Sequence, residues 1–285
     1  MKKQTIYLLL IAVCFASCST SKKDTRSKKV LTDNVNFSPK AGWKLAWSDE
    51  FNYEGLPDST KWIYDTEGNS VGWGNKEDQF YTTARKENAS VANGILDITA
   101  LKEDVGGKKY TSARIVTKAD WLYGRVEVRA KLPNGIGTWP AIWMMPAGWT
   151  FNNGNWPAIG EIDIMEHVGY DLNVIHGSAH STDYQWKIGT QKTGIITIPD
   201  ATTNFHNYIF EWSPDVMKMY VDDSCFFTYV NEGLGVSKWP YNKPFYLILN
   251  LAVGGEWGGS KGIDGNAFPQ TMKVDYVRIY KHLTN

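Results

Sequence analysis

Between residues 125 and 132 apolar and charged side chains alternate without a break. Val126, Val128, Ala130 and Leu132 fall on one side of an extended chain, and Arg125, Glu127, Arg129 and Lys131 on the other. Such a segment is a half-buried antiparallel strand, one face on a core and one in water. The same period fits Ile95 to Ala100, Tyr208 to Trp212, Met217 to Val221 and Lys273 to Tyr280, while helical stripes are hard to find. Phe245 to Val253 is apolar almost throughout, which predicts a central strand covered on both faces. Turn signals separate these runs: Asn93-Gly94, Pro133-Asn134-Gly135, Ser213-Pro214-Asp215 and Asp222-Asp223. Many short strands, regular turns and no fixed repeat predict an all-β sandwich or barrel. Residues 41–285 show no second break in composition and form one domain able to bury a substantial core.

The segment before that domain has a different character. Lys2 and Lys3 precede an apolar run, Ile6 to Ala16, too short to span a membrane, and then the chain turns polar. Residues 1–17 read as a secretory signal, and Phe15-Ala16-Ser17-Cys18 resembles a bacterial lipobox, so a lipid on Cys18 is expected, with a soluble exported protein as the alternative. The expected location is the outer membrane or cell surface, otherwise the periplasm or medium. Residues 18–40 are Lys- and Ser-rich and read as a tether. Removing residues 1–17 takes away two lysines and no acid, leaving 28 basic residues against 30 acidic. That balance points neither to nucleic acid nor to an anionic membrane surface, and the lipid is the only membrane link expected. Cys14 and Cys18 belong to the export segment, so Cys225 has no partner for an intramolecular disulfide and is expected as a small core hydrophobe. The mature chain is expected to be a monomer.

Within the domain, Gly160-Glu-Ile-Asp-Ile-Met-Glu-His-Val168 puts three carboxylates in six residues with apolar spacers. Strict alternation would place Glu161 and Asp163 on one face and Glu166 on the other. A β-bulge at Ile164-Met165 would bring Glu166 back, so that all three line one wall. Paired carboxyl groups about 5 to 5.5 Å apart are what a retaining glycoside hydrolase uses, one as nucleophile and one as proton donor. An exposed strand with polar alternation is the bland alternative for such a motif.

Aromatic residues make up 14% of the chain and include 13 Trp, more than a core of this size requires. Trp139, Ala141 and Trp143 share a strand face, and flat apolar rings suit the C–H faces of pyranose sugars. Two core tryptophans would read the same way. No His/Cys cluster has zinc spacing, and the Gly-rich fragments lie between strands rather than at a strand-to-helix turn, which argues against dinucleotide binding.

Six ordered segments resemble glycoside hydrolase family 16, in particular its laminarinase-like endo-β-1,3-glucanases. They are Trp47-Ser-Asp-Glu-Phe51, residues 72–82 (GWGNKEDQFYT), residues 123–133 (YGRVEVRAKLP), Trp139-Pro-Ala-Ile-Trp143, residues 160–169 and residues 245–255. The resemblance spans nearly all of 43–281. It implies a β-jelly-roll sandwich of two curved antiparallel sheets, the concave one forming an open cleft for a polysaccharide cut with retention. By position Glu161 is similar to the nucleophile, Glu166 to the acid/base and Asp163 to the helper that tunes Glu161. The spacing with Met165 is similar to the laminarinase branch, since related lichenases lack that residue. Glu161 should then be ionised and well hydrogen-bonded, and Glu166 should have a raised pKa.

The same resemblance implies that Asn75, Arg114, Trp139 and Trp143 bind sugars on the non-reducing side or floor the cleft. Trp257 is implied to stack on sugar. Glu256 stands where the family often has Asn. Glu77 is open between accepting sugar hydroxyls and pairing with a nearby Arg or Lys. His180 matches a position close to the acid/base. Alternation puts it on one face with His176 and Ser178, while a structural role is the ordinary one for a lone His; His167 is expected to face away. No cofactor is implied for catalysis. One structural Ca²⁺ is implied, on the backbone carbonyls of Glu50 and Gly94 and the carboxylate of Asp275. The expected substrate is a β-glucan of the laminarin type. The alternatives are mixed-linkage glucan, agar or carrageenan, and glucan binding without catalysis.

Overall fold

Strands form where the alternation is strongest. The computed structural model describes residues 40–68, 71–152 and 154–283. The expected signal, Cys18 and all of the tether but Lys40 lie outside the described residues. The first strands are β1 (Trp43–Asp49), β2 (Trp62–Tyr64), β3 (Gln79–Tyr81), β4 (Ala89–Ala92), β5 (Ile95–Val105), β6 (Lys108–Ser112), β7 (Arg114–Thr117) and β8 (Gly124–Lys131). There follow β9 (Thr138–Pro146), β10 (Glu161–Glu166), β11 (Val174–His180), β12 (Lys192–Thr197), β13 (His206–Trp212), β14 (Val216–Val221), β15 (Ser224–Val230), β16 (Phe245–Val253) and β17 (Gln270–His282).

Among the described residues the strands make two sheets. The larger has the order β15-β14-β13-β8-β17-β5-β6-β3, with β1 added on β17 and β4 on β5; the smaller has the order β12-β11-β10-β9-β16-β7-β2. All the strand pairs are antiparallel except β3 on β6. Strands far apart in sequence lie side by side, β8 beside β17 and β9 beside β16, so the sheets are interleaved as in the expected jelly roll.

The core fills the space between the sheets. Leu96, Ile98, Val128, Phe210 and Val277 come from the larger sheet, and Ile115, Ile142, Ile162, Leu247 and Leu249 from the smaller, none of them with measurable exposure. Each such side chain contributes roughly 1.5–3 kcal/mol by leaving water. The charged side of β8 lies on the outer face in ion pairs: Arg125 with Glu127 at 2.6 Å and with Glu211, and Arg129 with Asp275. β16 is central, between β9 and β7, and all of it but Tyr246 is buried. Its second face is not covered by another layer, however; Asn250 and Ala252 face a cleft and are shielded by the side chains that line it.

Two bulges reset the alternation. On β10, Asp163 pairs with Ser178 and Glu166 with His176, three residues against two on β11, and the register against β9 shifts at the same point. Ile164 and Met165 consequently both point into the core, at 1% and 0% exposure. On β15, Met219 pairs with Phe227 and Tyr220 with Cys225, leaving Phe226 as the extra residue. That bulge packs Phe226 on the core and turns Cys225 outward. The expectation of a core Cys225 is therefore corrected: the thiol is exposed, with Phe227 O at 3.5 Å and Thr228 Oγ1 at 3.6 Å, because unbroken alternation does not hold there. Gly177, in the middle of β11, lies against Met219 and Phe226 of the larger sheet. A Cβ there would sit 2.5 Å from Met219 Sδ and 2.9 Å from Phe226, so a larger residue at this point of the strand carrying His176 and Ser178 would make those side chains shift.

Candidate active site

The bulge on β10 gathers the three acids on the concave face of the smaller sheet, in a cleft of about 750 Å³. Each has its own donor from another element. Trp156 Nε1 donates to Glu161 Oε2 at 2.9 Å, His180 Nε2 lies 3.1 Å from Asp163 Oδ2, and Trp139 Nε1 donates to Glu166 Oε1 at 3.0 Å. The two glutamates keep part of their surface open to the cleft, while Asp163 is buried. His176, Ser178 and His180 line the cleft from β11 as the alternation predicted. His180 is buried against Asp163 and stacks at a tilt on Trp156, with ring centres 5.9 Å apart. His167 is fully buried outside the cleft, its Nε2 accepting from Asn173 N at 3.1 Å, and burial lowers its pKa to about 4.

On the β7 side the expected sugar-contacting residues converge. Asn75, Glu77, Arg114, Trp139, Trp143 and Trp257 all line the cleft. Trp143 Nε1 donates to Asn250 Oδ1 at 2.7 Å, and Asn250 Nδ2 to the Tyr81 hydroxyl at 3.0 Å, which fixes the indole edge-on to the floor. Arg114 is buried, ion-paired through Nε to Asp65 at 2.8 Å, with its guanidinium 4.7 Å from the Trp143 ring centre and 4.9 Å from that of Trp73. Its Nη2 is buried and has no hydrogen-bond partner among the described residues. Glu77 is buried, and its partners are amides rather than the Arg or Lys considered from the sequence: Gln79 Nε2 at 2.6 Å and Asn75 Nδ2 at 3.4 Å. Burial pushes its pKa up to about 7.

The lower rim is built by two loops in close contact. Glu77 bridges to Gly254, and Glu256 N donates to Asn75 O at 2.8 Å. Gly255, at φ 79°, lets them approach: a Cβ there would lie 3.1 Å from Asn75 O and 3.3 Å from Trp139. Trp257 then meets Trp139 and His176 edge-on, with ring centres 5.4 and 4.9 Å away. Glu256 lines the cleft in an ion pair with Lys76 at 2.7 Å.

Sequence reasoning missed the loop residues of this cleft. Trp73, Trp149, Phe151, Trp156, Trp186 and Lys187 line it too, as do Thr193 and Ile195 of β12. Seven of the 13 tryptophans are therefore in the cleft, which decides between groove and core for Trp139 and Trp143. The surplus of Trp was the signal; loops lack the periodicity that would have assigned each one.

Electrostatically the three acids form one group. Burial raises the Glu161 carboxyl to about 7, with the charge of Asp163 adding and His180, the Trp156 N–H and Arg114 opposing. Burial also raises Asp163 to about 8. It carries Glu166 well above the usual carboxylate range, with Asp163 and Glu161 adding and His180 and Trp139 opposing. Glu166 has the raised pKa expected of it. The resemblance implied an ionised and well hydrogen-bonded Glu161; it has a single indole donor, and desolvation outweighs that donor, so its carboxyl is raised together with the other two.

Glu161, Asp163 and His180 place one ligand atom each within 4.8 Å of one another, the group among the described residues with metal-binding potential. A cation there would displace the His180–Asp163 contact and the Trp156 N–H, so the three form an acid–base cluster. The implied calcium donors fit a cation poorly as they stand. The Asp275 carboxylate, the one anionic member of that set, is already held by the Arg129 guanidinium, and the Glu50 carboxylate by Arg278 at 2.7 Å.

Residues 76–278 match the family model for Glycosyl hydrolases family 16. A β-glucanase of Rhodothermus marinus is 48% identical over 288 residues, covering 99% of this chain and 95% of that protein. The X-ray structure of the laminarinase from Rhodothermus marinus matches with a TM-score of 0.81 at 51% identity, over 85% of this chain and 98% of that one. A glutamate-to-serine mutant of SCLam, a non-specific endo-β-1,3(4)-glucanase co-crystallised with 1,3-β-D-cellotriosyl-glucose, matches at TM-score 0.80 and 46% identity, over 86% of this chain and 96% of that one.

Proposed function

Since the chain belongs to the glycosyl hydrolases of family 16, we propose that it cuts internal β-1,3 bonds of a laminarin-like glucan, with retention, by double displacement between Glu161 and Glu166. Glu161 attacks the anomeric carbon as a carboxylate, while Glu166, whose pKa burial raises, gives its proton to the glycosidic oxygen of the leaving chain. A glycosyl ester of Glu161 results. Glu166, now a carboxylate, takes a proton from water, which opens the ester from the same face as the departed sugar. Asp163, which lies beside His180, is the largest neighbouring charge felt by both glutamates, so its own protonation tunes theirs. The reaction needs no cofactor, and a calcium at Glu50, Gly94 and Asp275 would have no step in it.

The observation that carries this reading is the β10 bulge, which sets both glutamates in one aromatic cleft with an indole N–H on each. The donor-rich β7 side, with Asn75, Arg114, Trp139 and Trp143, takes the sugars that become attached to Glu161. A screen of laminarin, mixed-linkage glucan, agar and carrageenan tests it. Short oligosaccharides from laminarin, lost on Glu161→Ala or Glu166→Ala, are expected. Product from the galactans alone would redirect the substrate, and tight laminarin binding by a folded protein that releases nothing would leave a binding protein.

The same reading takes residues 41–285 as the catalytic domain of an exported monomer, carried on a tether behind a signal of residues 1–17 and lipidated at Cys18. Fatty-acid labelling that Cys18→Ser abolishes supports the anchor; an unlabelled protein in the medium supports plain secretion.

A further inference from the structure

The hydrogen bond on Glu166 comes from a diagonal neighbour. Across the strands Glu166 faces Ala141 on β9 and His176 on β11. Ala141 has no side-chain donor to offer, and Trp139, on the same face of β9, supplies its Nε1 to Glu166 Oε1 at 3.0 Å. An indole N–H can only donate, so the oxygen it meets is the accepting one. In the protonated acid Oε1 is then the carbonyl oxygen, and the proton stands on Oε2, where it can be passed to a glycosidic oxygen.

The placing of that proton depends on what holds the indole. Trp257 touches one residue on each strand that flanks β10: its ring meets Trp139 at 79° with centres 5.4 Å apart, and His176 at 85° with centres 4.9 Å apart. Edge-to-face contacts are directional and resist the turning of either ring. The loop that carries Trp257 is itself tied down. Gly254 N donates to Gly137 O and Glu256 N to Asn75 O, both at 2.8 Å, and Ser260 N donates to Trp257 O at 3.0 Å. Its backbone also lies on Trp139, where a Cβ added at Gly258 would come within 2.8 Å of Trp139 Cβ. The Lys76–Glu256 ion pair on this loop is exposed and adds little. Backbone bonds and ring packing therefore do the holding.

We propose that Trp257 is a positioning residue for proton transfer: wedged between Trp139 and His176, it keeps the Trp139 N–H on Oε1 of Glu166, so that the transferable proton is held on Oε2. From there the proton passes to the glycosidic oxygen as the anomeric C–O bond breaks and its electron pair stays on that oxygen. The inference deepens the glucanase reading and rests on it.

The test uses two aryl laminaribiosides whose aromatic rings occupy the same place. A dinitrophenyl group leaves without a proton, and a phenyl group needs one. Trp257→Leu is expected to lower the phenyl-to-dinitrophenyl ratio of kcat/KM about tenfold, and Trp257→Phe to restore most of it. Trp139→Phe, which keeps a ring but has no N–H, should lower the ratio by a similar factor, and adding Trp257→Leu to it should lower the ratio no further. Each ratio is taken at a temperature where circular dichroism shows the variant folded. A ratio that Trp257→Leu leaves unchanged, whether both rates hold or both fall together, overturns the positioning role and leaves the glucanase reading in place, as does a further drop in the Trp139→Phe background. A wild type inactive on both glycosides overturns the two together.

Discussion

The three acids are protonated at pH values where they would be ionised in an unfolded chain, and this has a thermodynamic consequence with a definite sign. Their ordinary values are 4.5 for the glutamates and 3.8 for Asp163; in the fold burial raises Glu161 to about 7, Asp163 to about 8 and Glu166 well above its ordinary value. Between those limits the folded state binds more protons than the unfolded state, so the stability that depends on them falls as pH rises. Glu166→Gln needs no proton, and it is expected to melt a few degrees above the wild type at pH 8, the gap closing toward pH 4; a gap that ignores pH would contradict the assignment. Trp156→Phe removes the one N–H on Glu161. A hydrogen bond to a charged group is worth about 1.5–3 kcal/mol, so the acidic limb of the pH–rate profile should move up by about one to two units. An unmoved limb would mean that Glu161 does not govern it. Which residues carry charge was legible in the sequence, as was the raised pKa of Glu166. The state of Glu161 was not, because it depends on how much water the surrounding indoles exclude.

At the scale of the strand, parity is what matters. The extra residue on β10 compensates for the odd spacing between Asp163 and Glu166, so deleting Met165 gives a regular Glu-Ile-Asp-Ile-Glu strand with all three acids still on the cleft face. Activity of the deletion variant should stay well above that of Glu166→Ala, while stability drops by about 2–5 kcal/mol for the lost core side chain. Activity as low as that of Glu166→Ala, in a folded variant, would show that the bulge sets more than the facing of Glu166. The β10 bulge was readable because only a bulge brings all three carboxylates onto one wall, as paired-carboxylate chemistry requires. The bulge on β15 carried no such chemistry, and Cys225 was placed on the wrong face for that reason. Strands were legible by period two, whereas the loop residues Trp149, Trp156 and Trp186, which line the cleft, lie in stretches with no period to read.

Across the whole molecule, two sheets share one core, and the outer face of the larger is tied by ion pairs, Arg129 with Asp275 and Arg278 with Glu50. If Arg129 supplies the positive charge beside Asp275, melting temperature should be the same in calcium and in chelator; a clear rise with calcium would show that Arg129 yields to the ion. The sandwich, its concave cleft and the identity of the acids follow from residues spread over the whole domain, but the length of the cleft beyond β10 emerges only when β11 and β12 are laid beside it. The central claim is that Glu161 carries the sugar through a covalent intermediate while Glu166 shuttles the proton. Mass spectrometry of the protein after trapping with a 2-deoxy-2-fluoro laminaribioside bearing a good leaving group tests it directly. One glycosyl group, mapped to a peptide at Glu161, is the expected result; a label on Glu166, or no label on an enzyme whose first-formed product has the inverted anomeric configuration, would contradict it.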